Sequence, residues 1–448
     1  MNRLIHLTLV ATVLLAACTS GSGDPRTAPG DPTTTSTSPT TTEATPGPAP
    51  TSNPTSTSTT LAGSTTTAEA PREPTWVPLA AGEVEGDAVT DADLDLLASR
   101  YRVLVAQNLS PAQRDRLREL NPEILLIKYQ ASVSAPPALV ESHPEWAVRG
   151  PSGDPVHSLN STSLVMVNPS DVELRRARTA QATAAMTEEG FDGIMYDEAV
   201  IVRGDFYRGF DGIDPETGQT WTMEDFRAAQ LENVRSIRAA NPDGFIACNS
   251  VGNGTRYFEE IEWAHRFAQV CDALVAENYR GGSGDPAHVE SEQEWLDDVE
   301  MGYDVDENGA SLNAYVEIVT DRPGDETTRL RADLFQYGTF LLGYRDGALF
   351  SNSVQEPTPS QVGGNVNTLV FRDFQSIDPG EPVSERYEFI EGLYLRRFTN
   401  LVVVVNPTGD SIGVPLTESF VDWQGVEHTP ETGLVLEPRS ANLLLPLG

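Results

Sequence analysis

The chain is 448 residues long and carries a formal net charge of −36, from 66 acidic and 30 basic residues. That length exceeds one small domain, and the charge excludes the basic footprint a nucleic-acid partner requires. It describes an acidic, soluble surface and leaves the fold open.

Residues 1–18 read as a targeting segment. Arg3 gives a positive start, "LIHLTLVATVLLAA" is a short apolar run, and Leu15-Ala16-Ala17-Cys18 closes it. Small residues before a lone Cys resemble a bacterial lipobox, with Cys18 as the lipidated first residue. The plain alternative is an ordinary signal peptide or a short anchor. Acyl chains on Cys18 would bind a membrane by burying CH₂ groups. Residues 19–73 are dominated by Thr, Ser, Pro, Gly and Ala and read as a disordered stalk. As a flexible coil of about 55 residues it reaches roughly 40 Å. The expected location is extracytoplasmic, lipid-anchored to the bacterial cell membrane.

From residue 74 apolar runs of strand length alternate with helical patterns. The predicted strands are "WVPL" (76–79), "YRVLVAQ" (101–107), "EILLIKY" (123–129), "DGIMYD" (192–197), "FIACN" (245–249), "DALVAEN" (272–278), "LNAYVEI" (312–318) and "ALFSN" (348–352). Between them, Ser110-Pro111-Ala112-Gln113 and Ser170 with Glu173 carry capping-box signatures, and Thr90 with Asp93 and Thr222 with Asp225 carry looser ones. Asn or Gly near 121, 190 and 241 marks helix ends that want a left-handed cap. Strand–helix alternation means parallel strands with crossovers. Eight such units in roughly 300 residues fit a (β/α)₈ barrel over 74–383. An open doubly wound sheet is the alternative, but no Gly-rich phosphate loop follows the first strand. Residues 384–448 are short strands joined by turns, a small all-β, sandwich-like C-terminal domain. Cys248 and Cys271 fall at one strand's predicted end and the next one's start, so no disulfide is expected between them.

Barrel chemistry gathers where strands end, at the carboxyl face. The polar residues predicted there are Asn108, Lys128, Asp197, Asn249, Glu277, Glu317 and Asn352. In strand four, alternation sends Gly193, Met195 and Asp197 inward and Ile194 and Tyr196 toward the helices. Glu198 then opens the loop. Strand six repeats the pattern, with Ala273, Val275 and Glu277 inward. Asp197 and Glu277 therefore face each other across the mouth. Two opposed carboxylates are what glycoside hydrolysis requires: one attacks, the other donates a proton to the leaving oxygen. Mutual repulsion keeps one of them protonated. The bland alternative is that both acids pair with arginines or cap loops.

Other chemistries find little support. None of the six histidines ends a predicted strand or forms a metal-ligand pair. "DVDENG" (304–309) imitates a calcium loop but has Tyr315 where the twelfth-position acid belongs, so it reads as an exposed turn. Tyr129, Trp146, Tyr196, Trp221 and Tyr279 lie in or beside predicted loops, either stacking on sugar rings or filling loop cores.

The runs "HPEWAVRGPSGDPV" (143–156), "VMVNPSDVELRRA" (165–177) and "GFDGIMYDEA" (190–199), with the tail "RRFTNLVVVVNPTG", resemble the (β/α)₈ hypothetical glycosyl hydrolase families allied to the α-galactosidase and endo-α-1,4-polygalactosaminidase superfamily. The resemblance covers about residues 75–448. It implies a nucleophilic Asp ending strand four and an acid/base carboxylate ending strand six, here Asp197 and Glu277. It also implies α-linked glycans, a retaining route and no metal or other cofactor. Where relatives carry an Asp, this chain has Val167-Asn168-Pro169, which puts one sugar contact, at Asn168, in question. The expected function is a surface-anchored glycoside hydrolase. Lys128, Tyr129, Asn168, Tyr196, Glu198, Asn249, Tyr279, Glu317 and Asn352 are candidate sugar contacts, with Glu198 and Glu317 also as reserve acids. The alternative is a non-catalytic glycan-binding barrel acting as a receptor or adhesin.

Overall fold

A computed structural model describes residues 81–84, 89–157, 164–199, 212–277, 279, 290–319, 326–355 and 369–447. The targeting segment with Cys18, the stalk and the predicted strand 76–79 lie outside the described residues.

Eight parallel strands form the first sheet: β1 (Ala81–Val84), β2 (Val103–Ala106), β3 (Leu125–Ala131), β4 (Gly193–Asp197), β5 (Phe245–Val251), β6 (Ala273–Glu277), β7 (Ser311–Val319) and β8 (Leu349–Gln355). They pair in chain order, each parallel to the next. The sheet curls until β1 and β8 meet, and a short β9 (Leu369–Val370) adds antiparallel to β8. The expected barrel is present. Its helices are α1 (Asp91–Arg100), α2 (Pro111–Leu120), α3 (Val172–Thr187), α4 (Met223–Ala240), the pair α5 (Gly254–Glu259) and α6 (Ile261–Ala268), α7 (Glu292–Glu307) and α8 (Glu326–Leu342).

Side-chain alternation builds two apolar layers. Val103, Val105, Ile127, Met195, Ala247, Ala273, Val275 and Leu349 fill the barrel interior. Ile194, Tyr196, Cys248, Leu274 and Ala276 face outward into the helix layer. Gly193 is obligatory, because a Cβ there would lie 1.9 Å from the Phe245 carbonyl oxygen. The Asp before it is a clamp: the Asp192 carboxylate accepts from Leu126 N at 2.8 Å and pairs with Arg118 at 3.0 Å. Asp272, before β6, does the same for Ile246 N at 2.7 Å and pairs with Arg238.

Several local expectations change. Thr90 with Asp93 makes a full capping box, as Ser110 with Gln113 does. α3 is capped by Asp171, not Ser170: its Oδ1 accepts from Leu174 N at 2.8 Å. Gly190 is left-handed, but Asn121 and Asn241 end their helices with φ of −139° and −134°. Asp304 and Asp306 sit in the last turns of α7, not in an exposed turn, and Asp304 hydrogen-bonds the Tyr257 hydroxyl and His265 Nε2, both at 2.6 Å. Cys248 and Cys271 do form a disulfide, with Cα atoms 6.1 Å apart. β5 runs on to Val251, so Cys248 lies in its middle, and its register partner Leu274 is only three residues beyond Cys271.

The C-terminal domain holds β10 (Glu388–Ile390), β11 (Leu393–Arg397), β12 (Val402–Asn406), β13 (Ile412–Val414), β14 (Phe420–Asp422), β15 (Glu427–His428), β16 (Leu434–Leu436) and β17 (Ser440–Pro446). Six of them form one sheet in the order β10-β11-β12-β17-β14-β15, and β13 pairs with β16. "VVVV" in β12 is buried on both faces. Val402 and Val404 meet the β13–β16 pair through Val414, Leu434 and Leu436, while Val403 and Val405 join the barrel's helix-layer core. The fully buried Arg396 rivets the two parts, donating to the carbonyls of Leu342, the last residue of α8, at 3.0 Å and of Tyr344, just past it, at 2.6 Å.

Candidate active site

Asp197 ends β4 pointing inward and is 5% exposed. Three donors converge on it: the Tyr129 hydroxyl at 2.5 Å, Asn249 Nδ2 at 2.7 Å and its neighbour's backbone, Glu198 N, at 2.8 Å. Glu198 itself adopts a left-handed φ of 54° as the chain leaves β4. Such a conformation costs energy in a non-glycine residue and collects at functional sites. Burial raises the Asp197 pKa, and the donors from Tyr129, Asn249 and Glu198 oppose it in that order.

Asn249 is the hinge of the arrangement. Its Nδ2 donates to Asp197 Oδ1 at 2.7 Å and to Glu277 Oε2 at 2.8 Å. Those two oxygens are therefore at most about 5.5 Å apart, the sum of the two bonds. A register shift between Asn249 and Val251 places Ser250 as an extra residue in β5. Asn249 thus keeps its inward aim while Val251 turns out into the helix layer. Bulges beside active sites re-aim side chains in this way.

Several sequence candidates stand elsewhere. Lys128 alternates with the inward Ile127 and Tyr129, so it faces the helix layer, pairs with Glu189 and lies over the Phe191 ring. Tyr196 points outward, is fully buried, and donates to Gln230 Oε1 at 3.2 Å. Tyr279 is likewise buried in the helix-layer core. Asn168 shapes a turn, accepting from Ser170 N at 3.1 Å and Ser170 Oγ at 2.9 Å. Asn352 is buried on the outward parity of β8, where its amide atoms meet no partner among the described residues. The backbone of Glu317 pairs with Ser353 in β7–β8, but its side chain lies outside the described residues. Trp146 and Trp221 fill two small cores in the insertions that follow β3 and β4, and Arg149 bridges to Ile213 across those insertions.

The strand-end rule picks Asn108 after β2, and Asn108 is exposed. The buried polar group there is Gln107, 8% exposed, which sequence reading treats only as the strand's last residue. Alternation from the inward Val103 and Val105 would have marked it. Among the described residues no three His, Cys, Asp or Glu side chains converge as a metal site.

A family model described as hypothetical glycosyl hydrolase family 15 matches residues 98–402. No curated protein matches the chain. Among solved structures, the glycoside hydrolase domain of PelA from Pseudomonas aeruginosa is 15% identical over 64% of this chain and 98% of that one, with a TM-score of 0.40. A maltogenic alpha-amylase, AmyB from Thermotoga neapolitana, is 14% identical over 82% and 98%, at 0.46. A GH36 alpha-galactosidase, AgaA from Geobacillus stearothermophilus, is 9% identical over 83% and 55%, at 0.46. At these scores the structural likenesses carry no weight for function.

Proposed function

The chain belongs to hypothetical glycosyl hydrolase family 15 and is a glycoside hydrolase, and from that premise we propose that Asp197 and Glu277 hydrolyse α-linked glycans with retention. The observation that carries this is the single Asn249 amide holding both carboxylates, with their nearest oxygens at most about 5.5 Å apart. Retaining pairs stand about 5–5.5 Å apart, whereas inverting pairs need roughly 6.5–9.5 Å to admit a water.

In the first step an Asp197 oxygen bonds to the anomeric carbon as the glycosidic C–O bond breaks, and the Glu277 proton passes to the departing oxygen. Oδ2 is the freer nucleophile, since it accepts one of the three hydrogen bonds and Oδ1 two. In the second step Glu277, now a carboxylate, takes a proton from water. The water oxygen bonds to the anomeric carbon and Asp197 leaves as a carboxylate. Every described partner of Asp197 is a donor, which suits the ionised form that attacks.

We place the enzyme outside the cytoplasm, tethered through Cys18 on the 19–73 stalk. The Cys248–Cys271 disulfide supports this, because such bonds persist in oxidising compartments.

Reducing-end release from α-linked galactosaminan, galactan and glucan, followed for a protein starting at residue 74 and for its Asp197→Ala form, tests the reading. Release by the wild-type protein alone is expected. Equal release by both would remove Asp197 from the chemistry, and silence of both with glycan binding intact would point to a binding protein.

A further inference from the structure

We infer that Gln107 is a specificity-determining residue of this hydrolase, donating from its side-chain amide to a hydroxyl of a glycan without acidic groups. The inference rests on the mouth of the barrel being the hydrolytic site. Three observations converge on Gln107. It directly follows β2, where Val103 and Val105 point into the barrel and alternation carries the next odd position the same way. The β2–β3 register, Ala106 opposite Lys128, sets Gln107 beside Tyr129, whose hydroxyl holds Asp197. Its Nε2 is buried and has no hydrogen-bond partner among the described residues.

A buried amide N–H without an acceptor is costly, and in a binding site the acceptor is commonly the ligand. Tyr129 and Asn249 spend their donors on Asp197 and Glu277, so neither amide proton of Asn249 remains for a sugar. Gln107 is the neighbouring donor still unused. Among the described residues, the charge at the mouth favours an uncharged sugar. Asp197 stands there ionised beside the proton-bearing Glu277, and Lys128, the cation next to Tyr129 in sequence, is turned away to Glu189. An acidic sugar unit would meet like charge; a hydroxyl needs only the amide donor.

The experiment uses the full chain in detergent, as wild type, Gln107→Met and Gln107→Glu. The substrates are galactan, α-glucan and polygalacturonate. On whichever uncharged polymer the wild type cleaves fastest, Gln107→Met should raise KM roughly 3- to 10-fold, the worth of one neutral hydrogen bond, with kcat nearly unchanged. Its melting temperature should equal or exceed the wild type's, because the free enzyme loses an unpartnered N–H. Gln107→Glu should raise KM further, since a carboxylate cannot donate at neutral pH. Polygalacturonate should be cleaved poorly by all three. An unchanged KM in the Met variant, a lower melting temperature, or polygalacturonate as the best substrate overturns the assignment while leaving the hydrolase intact. A wild type inert on every polymer instead sinks the reading of the mouth as hydrolytic, and this assignment with it.

Discussion

Replacing Asn249 by Ala is the perturbation that examines the site's logic most directly. Asp197 must be ionised to attack, so activity is lost as pH falls through its pKa. Burial has already raised that pKa above the ordinary carboxylate value. Asn249 pulls it down by donating to Oδ1 at 2.7 Å. A hydrogen bond to a charged group contributes about 1.5–3 kcal/mol, and one pKa unit is about 1.36 kcal/mol. The acid limb of kcat/KM should therefore move up by about one to two pH units. The same change frees Glu277 from the shared amide, and misplaced groups of this kind cost on the order of 100-fold in kcat. The assay is kcat/KM from pH 4 to 8 on the best polymer, with a melting curve to show that the variant is folded. An acid limb that stays put, or moves down, would refute the view that Asn249 holds Asp197 in its ionised form.

Four further outcomes follow from the same contacts. Tyr129→Phe removes the donor that opposes burial most strongly, so its acid limb should rise at least as far as that of the Asn249 variant, read from the same pH profile. Asp197→Asn should abolish turnover yet raise the melting temperature at pH 7. A raised folded pKa means this group's stability contribution is fully present at low pH and lost as pH rises through that pKa, so the gap between variant and wild type should close on acidification. Cys271→Ser opens the bridge between residues 23 apart and should cost about 3 kcal/mol in denaturant unfolding, matched by reductant on the wild type. Arg396→Ala should cost about 3 kcal/mol or more, from two hydrogen bonds to a charged donor, and split the melt into two transitions, because the carbonyls at the end of α8 lose the buried guanidinium that ties the β domain to the barrel.

The strands and their parity were legible because alternation is strict inside a barrel. Ile194 and Tyr196 cannot face inward while Met195 and Asp197 do. The same rule, applied to every strand, would have turned Lys128 outward and marked Gln107. Both were misjudged by asking only which residue ends a strand. Strand ends themselves were harder to read. β3 and β5 each run two residues past the apolar text, and the register that sets Cys248 opposite Leu274, and so near Cys271, has no mark in the sequence. The bulge at Ser250 has no sequence signature here, since neither Gly nor Pro occupies it. Asn168 carried a turn signal in its Asn-Pro pair, and it forms that turn with Ser170.

The run "GFDGIMYD" contains two acids with opposite employment, and their partners tell them apart. Asp192 enters β4 and Asp272 enters β6, each held by an arginine and a backbone N–H from the strand before. Their work is to tie adjacent strands together at the closed end of the barrel. Asp197 leaves β4 and Glu277 leaves β6, and the described donors to Asp197, Tyr129, Asn249 and a main-chain amide, are neutral, with Asn249 reaching Glu277 as well. An arginine beside Asp197 would secure its charge and weaken it as a nucleophile. Neutral donors in a buried mouth orient the carboxylate and leave its pKa raised, which keeps it reactive toward an anomeric carbon. One short motif thus sets a strand's position at its first residue and its chemistry at its last. The difference between them lies in the charge of what each acid touches.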